Sequence, residues 1–187
     1  MSSSLGIPNG DPLDVLKVRI EKEGPKPTPL PAVLSSVPWP RIEDAINRDA
    51  PRTFRLEMTM GRGRGMGVSL NGRTFEMEGV SSEETVKLGT TEVWEFVNEG
   101  PMAHPMHIHN LQFKVLERRP DPRFAAYHDT MREGLIDEGY KDVVIVQPGE
   151  RVRILMRFED HTGLYLYHCH ILEHEDLGMM RNYLVEA

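Results

Sequence analysis

An intrachain disulfide is excluded at the outset, because the 187 residues include one cysteine, Cys169, and a bridge needs two. Long apolar runs are missing as well. Stretches such as Val143–Val146 end after a few residues, far short of the ~20 needed for a helix to span a bilayer. Nor is there an excess of basic charge. Lys and Arg number 22 against 29 Asp and Glu, a net charge of −7, which offers no attractive field to nucleic acid or anionic lipid. The opening residues, Met1–Pro12, lack the basic and apolar regions of a secretory signal, which bears on export only if the natural chain begins there. Against these absences, 39% hydrophobic residues and 16 glycines are ordinary for a globular chain. The length suits one domain with an appendage, or two small domains.

Proline is plentiful but segregated. Seven of the fourteen prolines fall between Gly24 and Pro51, where fixed φ and missing N–H donors oppose regular strands and long helices. Residues 24–51 therefore read as a linker. Before it, Leu16, Val18 and Ile20 alternate with polar residues in a lone strand-like run. A single strand is not a domain, so residues 1–23 read as the terminal strand of a preceding domain whose other strands lie upstream or in another chain. From residue 52 to 187 the periodicity is two. Phe54, Leu56 and Met58 alternate, as do Val152, Ile154, Met156 and Phe158 behind the turn Gln147-Pro148-Gly149-Glu150, and Asn71-Gly72 is a hairpin signal. Further runs at 91–97, 106–116, 142–147 and 163–169 complete the pattern of an all-β sandwich or barrel. The Gly-Arg repeat from Gly61 to Gly67 reads as a mobile loop between strands rather than an RNA-binding tract.

Six of the eight histidines lie in two clusters, His104-Pro105-Met106-His107-Ile108-His109 and His168-Cys169-His170-Ile171-Leu172-Glu173-His174. Such clustering around the only thiol points to metal ligation. In a strand, residues two apart share a face, so His168 and His170 point one way and Cys169 the other. His107 and His109 likewise share a face, and His104 opposes them if the extended path continues through Pro105. Pairing the two segments gathers His107, His109, His168 and His170 on one side and leaves His104 near Cys169. The loop beyond offers His174 and Met179 as further ligands, with Met180 the competing thioether. Two His, one Cys and an axial Met are the ligands of a blue-copper site, whereas zinc rarely takes methionine. His128 and His161 stand alone and read as surface or loop residues.

HPMHIH and HCHILEHEDLGMM resemble the two copper-binding motifs of the last cupredoxin domain of multicopper oxidases. The likeness extends through LNGRTFE, VLERRPDPRFAAY, KDVVIVQPGE and GMMRNYLV. It is strongest toward the bacterial branch that contains spore-coat laccase, bilirubin oxidase and phenoxazinone synthase. The resemblance implies a cupredoxin-like Greek-key β-sandwich or barrel behind the Pro-rich linker. It assigns His104, Cys169, His174 and Met179 to a type 1 copper, His107 and His170 to a type 2 copper, and His109 and His168 to a type 3 pair. Electrons would run from Cys169 to the flanking His168 and His170, and dioxygen would become water at the trinuclear cluster. In that family, four more histidines from two His-x-His motifs of the first domain complete the cluster, and this sequence has none to spare. The acid after the type 1 histidine, here Glu175, delivers protons in the resembling branch. Its members are often exported or located at the spore coat.

The leading reading is thus the C-terminal part of a laccase-like oxidase, with small phenolic or aryl-amine donors, dioxygen and N-terminal cupredoxin domains or a second subunit as partners. A free-standing blue-copper electron carrier needs only the four type 1 ligands and leaves the other four histidines unexplained. A cupin-like or zinc-binding barrel leaves Cys169 and Met179 unexplained.

Overall fold

The structure, a computed structural model, describes Asp14 and residues 16–61 and 65–187. The tip of the Gly-Arg segment, residues 62–64, and the first thirteen residues lie outside the described residues. The chain divides into two units, Met1–Trp39 and Pro40–Ala187. In the described part of the first, Leu16, Val18 and Ile20 are exposed and belong to no strand. Alternation alone does not make a strand, because its N–H and C=O groups need a neighbouring strand.

The second unit begins inside the stretch read as linker. Ala45 forms a bridge to Thr91, and the Asn47 side chain donates to Val93 O at 3.0 Å and accepts from Val93 N at 2.7 Å. Ala45 thereby covers Val93 and Leu155 on the outer side of the sheet. Proline density marked the lack of strands there without revealing that Ala45 is buried.

Among the described residues, ten strands make two five-stranded sheets. In chain order they are β1 (Arg52–Gly61), β2 (Gly65–Leu70), β3 (Thr85–Lys87), β4 (Thr91–Asn98), β5 (His104–Ile108), β6 (Phe113–Pro120), β7 (Val143–Val146), β8 (Glu150–Arg157), β9 (Gly163–Cys169) and β10 (Met180–Glu186). One sheet has the order β2-β1-β4-β8-β6 and the other β3-β10-β9-β5-β7. Their inner faces share one core, in which Phe54, Trp94, Phe96, Phe158, Tyr167 and Tyr183 are buried. Cys169 and Met179 belong to the same core. Two short helices, α1 (Ala125–Met131) and α2 (Leu172–Asp176), lie in connections.

Two local devices shape the sheets. Asn71 and Gly72 both have positive φ, 50° and 72°, and Leu70 and Arg73 exchange backbone bonds across them, the two-residue hairpin turn that the pair encodes. The run 106–116, expected as one strand, is broken at Asn110, whose φ is 72°. The chain there leaves the sheet of β5 and continues as β6 in the other.

Candidate metal centre

The alternation of β5 decides where its histidines go. His104, Met106 and Ile108 are buried in the interior while Pro105 and His107 face outward, so the strand does continue through Pro105. β9 runs antiparallel beside it, with Met106 opposite Cys169 and His107 opposite His168. Cys169 therefore projects into the core, and its neighbours His168 and His170 project from the other face.

The chain then doubles back over Cys169. α2 carries His174, and Gly178, at φ +95°, turns the backbone so that Met179 N donates to His174 O at 2.8 Å and Cys169 N donates to Met179 O at 3.0 Å. Met179 is buried in the core, whereas Met180 is only half-buried on the other face of β10. The Cys169 sulfur lies 3.6 Å from His104 Nδ1 and 3.5 Å from His174 Nδ1. These three ligand atoms all lie within 4.8 Å of one another.

These separations suit one ion. With metal–nitrogen and metal–sulfur bonds of ~2.0–2.3 Å, an N–metal–S angle between tetrahedral and trigonal puts N and S roughly 3.5–3.7 Å apart. Burial draws all three groups toward their neutral forms: it lowers His104 to about 4, with the neighbouring His174 adding to the effect, lowers His174 and raises the Cys169 thiol to about 11. Neutral imidazoles are ready ligands, and a bound cation must displace the thiol proton.

The outward face holds the other histidines. His109 Nε2 and His168 Nε2 are 3.2 Å apart, and His107, His109 and His168 can point ligand atoms at a common position. His170, exposed, has its ring centroid 5.5 Å from His107 and 5.4 Å from His168. Backbone carbonyls fix two of the rings. His107 Nδ1 donates to Asp142 O at 2.7 Å and His168 Nδ1 to Cys169 O at 3.0 Å, which leaves each Nε2 lone pair free for a metal. Burial is the main cause that lowers His109 and His168. Glu175 Oε2 stands 3.4 Å from His168 Nδ1.

His161 is an exposed loop residue. His128 is buried, contrary to the surface position expected for it: its Nε2 donates to Pro148 O at 2.9 Å and ties α1 to the turn between β7 and β8. A buried carboxylate behind the site, Glu84, escaped the sequence reading. Its one signal there was the spacing of Ser81 and Glu84, a capping box.

A multicopper oxidase family model matches residues 46–187. The chain belongs to the multicopper oxidases. It is 38% identical to a laccase of Haloferax volcanii over 92% of this chain and 28% of that protein. It is 32% identical to a bilirubin oxidase of Albifimbria verrucaria over 83% of this chain and 25% of that protein. A crystal structure of a multicopper oxidase from Aquifex aeolicus superimposes with a TM-score of 0.56 at 37% identity, covering 76% of this chain and 31% of that one. The chain thus spans about a quarter to a third of the length of these relatives. Copper is the metal of the family, and the donors of His104, Cys169 and His174 suit it.

Proposed function

We propose that the chain is the C-terminal part of a laccase-like oxidase that takes single electrons from small phenolic or aryl-amine donors. His104, Cys169, His174 and Met179 would hold a type 1 copper, and His107, His109, His168 and His170 would supply one half of a trinuclear cluster. When bound, copper supplies one-electron redox chemistry at the first site and four-electron reduction of dioxygen to water at the second.

The observation that carries this reading is the two-faced end of β9. Cys169 faces the core beside His104 and His174, while His168 and His170, its covalent neighbours, face the outer histidines. The backbone on either side of Cys169 is then a path of a few covalent bonds between the two sites. A free-standing electron carrier has no use for the outer group, and that group is what favours an oxidase. Burial of His104 and Cys169 keeps water from the first site, and packing of the ligands in the core holds their positions through a change of copper charge.

Reduction of one dioxygen to two waters consumes four electrons and four protons. Glu175 would pass protons toward the outer group, a role supported by its Oε2 lying 3.4 Å from His168 Nδ1. The discriminating experiment completes the enzyme with domains that bear two His-x-His pairs. Glu175→Gln should then slow oxygen consumption at least tenfold and leave the blue absorption of the first site unchanged. Unaltered oxygen consumption would remove Glu175 from proton delivery.

A further inference from the structure

Behind the candidate copper site lies a polar cluster that the proposed electron path does not use. Glu84, Tyr167 and Arg181 are each no more than 2% exposed. Tyr167 Oη donates to Glu84 Oε1 at 2.8 Å, as does Arg181 Nε at 2.8 Å. Glu84 Oε2 accepts from Arg181 Nη2 at 2.7 Å and from Ser81 N and Oγ at 2.8 Å. Arg181 Nη1 donates to Thr74 O at 3.0 Å and stands 3.9 Å from the exposed carboxylate of Glu76. Glu84 ends the helical turn that leads directly into β3, Arg181 lies on β10 and Tyr167 on β9, so the carboxylate ties the entry of β3 to its two neighbouring strands.

Its position in the ladder is what matters. Arg181 lies directly opposite Tyr167, and Met180 opposite His168. One step further on the inner face, Cys169 N donates to Met179 O. The clamped pair is therefore the next inner-face pair along the same two strands from Cys169 and Met179. The sequence presents two consecutive methionines at this point, Met179 and Met180. A slip of β10 by one residue would turn every side chain to the opposite face and present Met180 in place of Met179.

Hydrophobic packing alone discriminates poorly between two methionines, which are flexible and fill gaps readily. The clamp discriminates strongly. In the slipped register Asn182 would replace Arg181 opposite Tyr167, and the Glu84 carboxylate would be buried without its cation. A buried ion pair is weak grounds for stability, since apolar residues of similar volume often serve as well, and its best-attested use is to fix register.

We infer that Glu84, Tyr167 and Arg181 are positioning residues that lock the β9–β10 register and so select Met179, rather than Met180, to face Cys169 at the metal site. The inference rests on the type 1 reading of that site. It also predicts a property of the metal-free chain.

The test compares the full chain with the double variant Glu84→Gln/Arg181→Met, which removes both buried charges together, and with Tyr167→Phe, which removes one bond. In the metal-free double variant, amide exchange at Cys169 and Met179 should accelerate at least tenfold relative to the amides of β8, even where the melting temperature recovers. Loaded with copper, it should show two blue species by electron paramagnetic resonance in place of one. Adding Met180→Leu should remove one of the two, although the same change in the parent chain leaves the spectrum as it was. Tyr167→Phe should give a smaller change of the same kind. Unchanged relative exchange, with a single species and parent-like hyperfine splitting, would overturn the clamp. A parent chain that folds and binds copper without turning blue would instead overturn the type 1 reading, and the exchange comparison would still decide the register.

Discussion

Cys169 is the residue on which the proposed chemistry turns, because its sulfur lies beside His104 and His174 while its neighbours in the chain, His168 and His170, face the outer histidines. A thiolate bound to Cu(II) gives an intense charge-transfer colour that imidazole and thioether ligands do not. Cys169→Ser should therefore leave a folded chain that binds copper weakly and without colour, as visible absorption will show. Met179 makes a finer prediction. Loss of a thioether donor destabilises Cu(II) more than Cu(I), so Met179→Leu should keep the blue site and raise its reduction potential, and Met180→Leu should change it much less. Electrochemistry giving the reverse order would transfer the axial role to Met180. The opposite burial of the two methionines, with Met179 in the core and Met180 on the other face, is the structural ground for that order.

At the scale of elements, the site depends on a sharp reversal between β9 and β10. Gly178 adopts φ +95°, and a Cβ there would stand 3.1 Å from Thr74 Cβ and 3.4 Å from Phe75 N. Gly178→Ala should thus cost about 1–3 kcal/mol, visible as a lower melting temperature, and should broaden the copper spectrum by displacing Met179. The clamp behind the reversal is sensitive to acid. Burial opposes ionisation of Glu84, but the donors Arg181, Ser81 and Tyr167 outweigh it and hold the carboxyl below its usual 4.5. A carboxyl depressed in the folded state stabilises fully above its unfolded value and loses that contribution as pH falls through the folded one. Glu84→Gln alone strands Arg181 and should cost about 3–5 kcal/mol at neutral pH. That difference from the parent should shrink as the pH falls below about 4.5, and denaturant titrations across the acid range measure it.

The legibility of these elements in the sequence followed their periodicity. β8 was readable because Val152, Ile154 and Met156 fall two apart behind the turn Gln147–Glu150, and β4 and β9 because each is a short run bounded by turn residues. The turn at Asn110 was not, because HIHNLQF carries apolar residues straight through a change of sheet. The inner and outer histidine groups were readable from the two-residue period of a strand. Glu84 was hidden, since its partners Tyr167 and Arg181 lie 83 and 97 positions away and no local spacing announces a contact of that range. Burial of His128 escaped for the same reason, as its partner Pro148 lies on another connection.

For the whole molecule, the reading of the outer face as half of a trinuclear cluster has a direct consequence. Four histidines are too few for three copper ions, which need roughly twice as many imidazoles. The copper-loaded chain alone should therefore consume negligible oxygen, and consumption should appear once domains with two His-x-His pairs are supplied. Sustained four-electron turnover by the chain alone would imply a cluster assembled between identical subunits. No helix among the described residues is long and apolar enough to cross a membrane. The most direct test of the central claim needs only the chain itself, loaded with copper, oxidised and examined by visible absorption and electron paramagnetic resonance. One blue copper per chain, abolished by Cys169→Ser, is the predicted result. A folded, oxidised chain that binds copper tightly at His104, Cys169 and His174 yet stays colourless would contradict it.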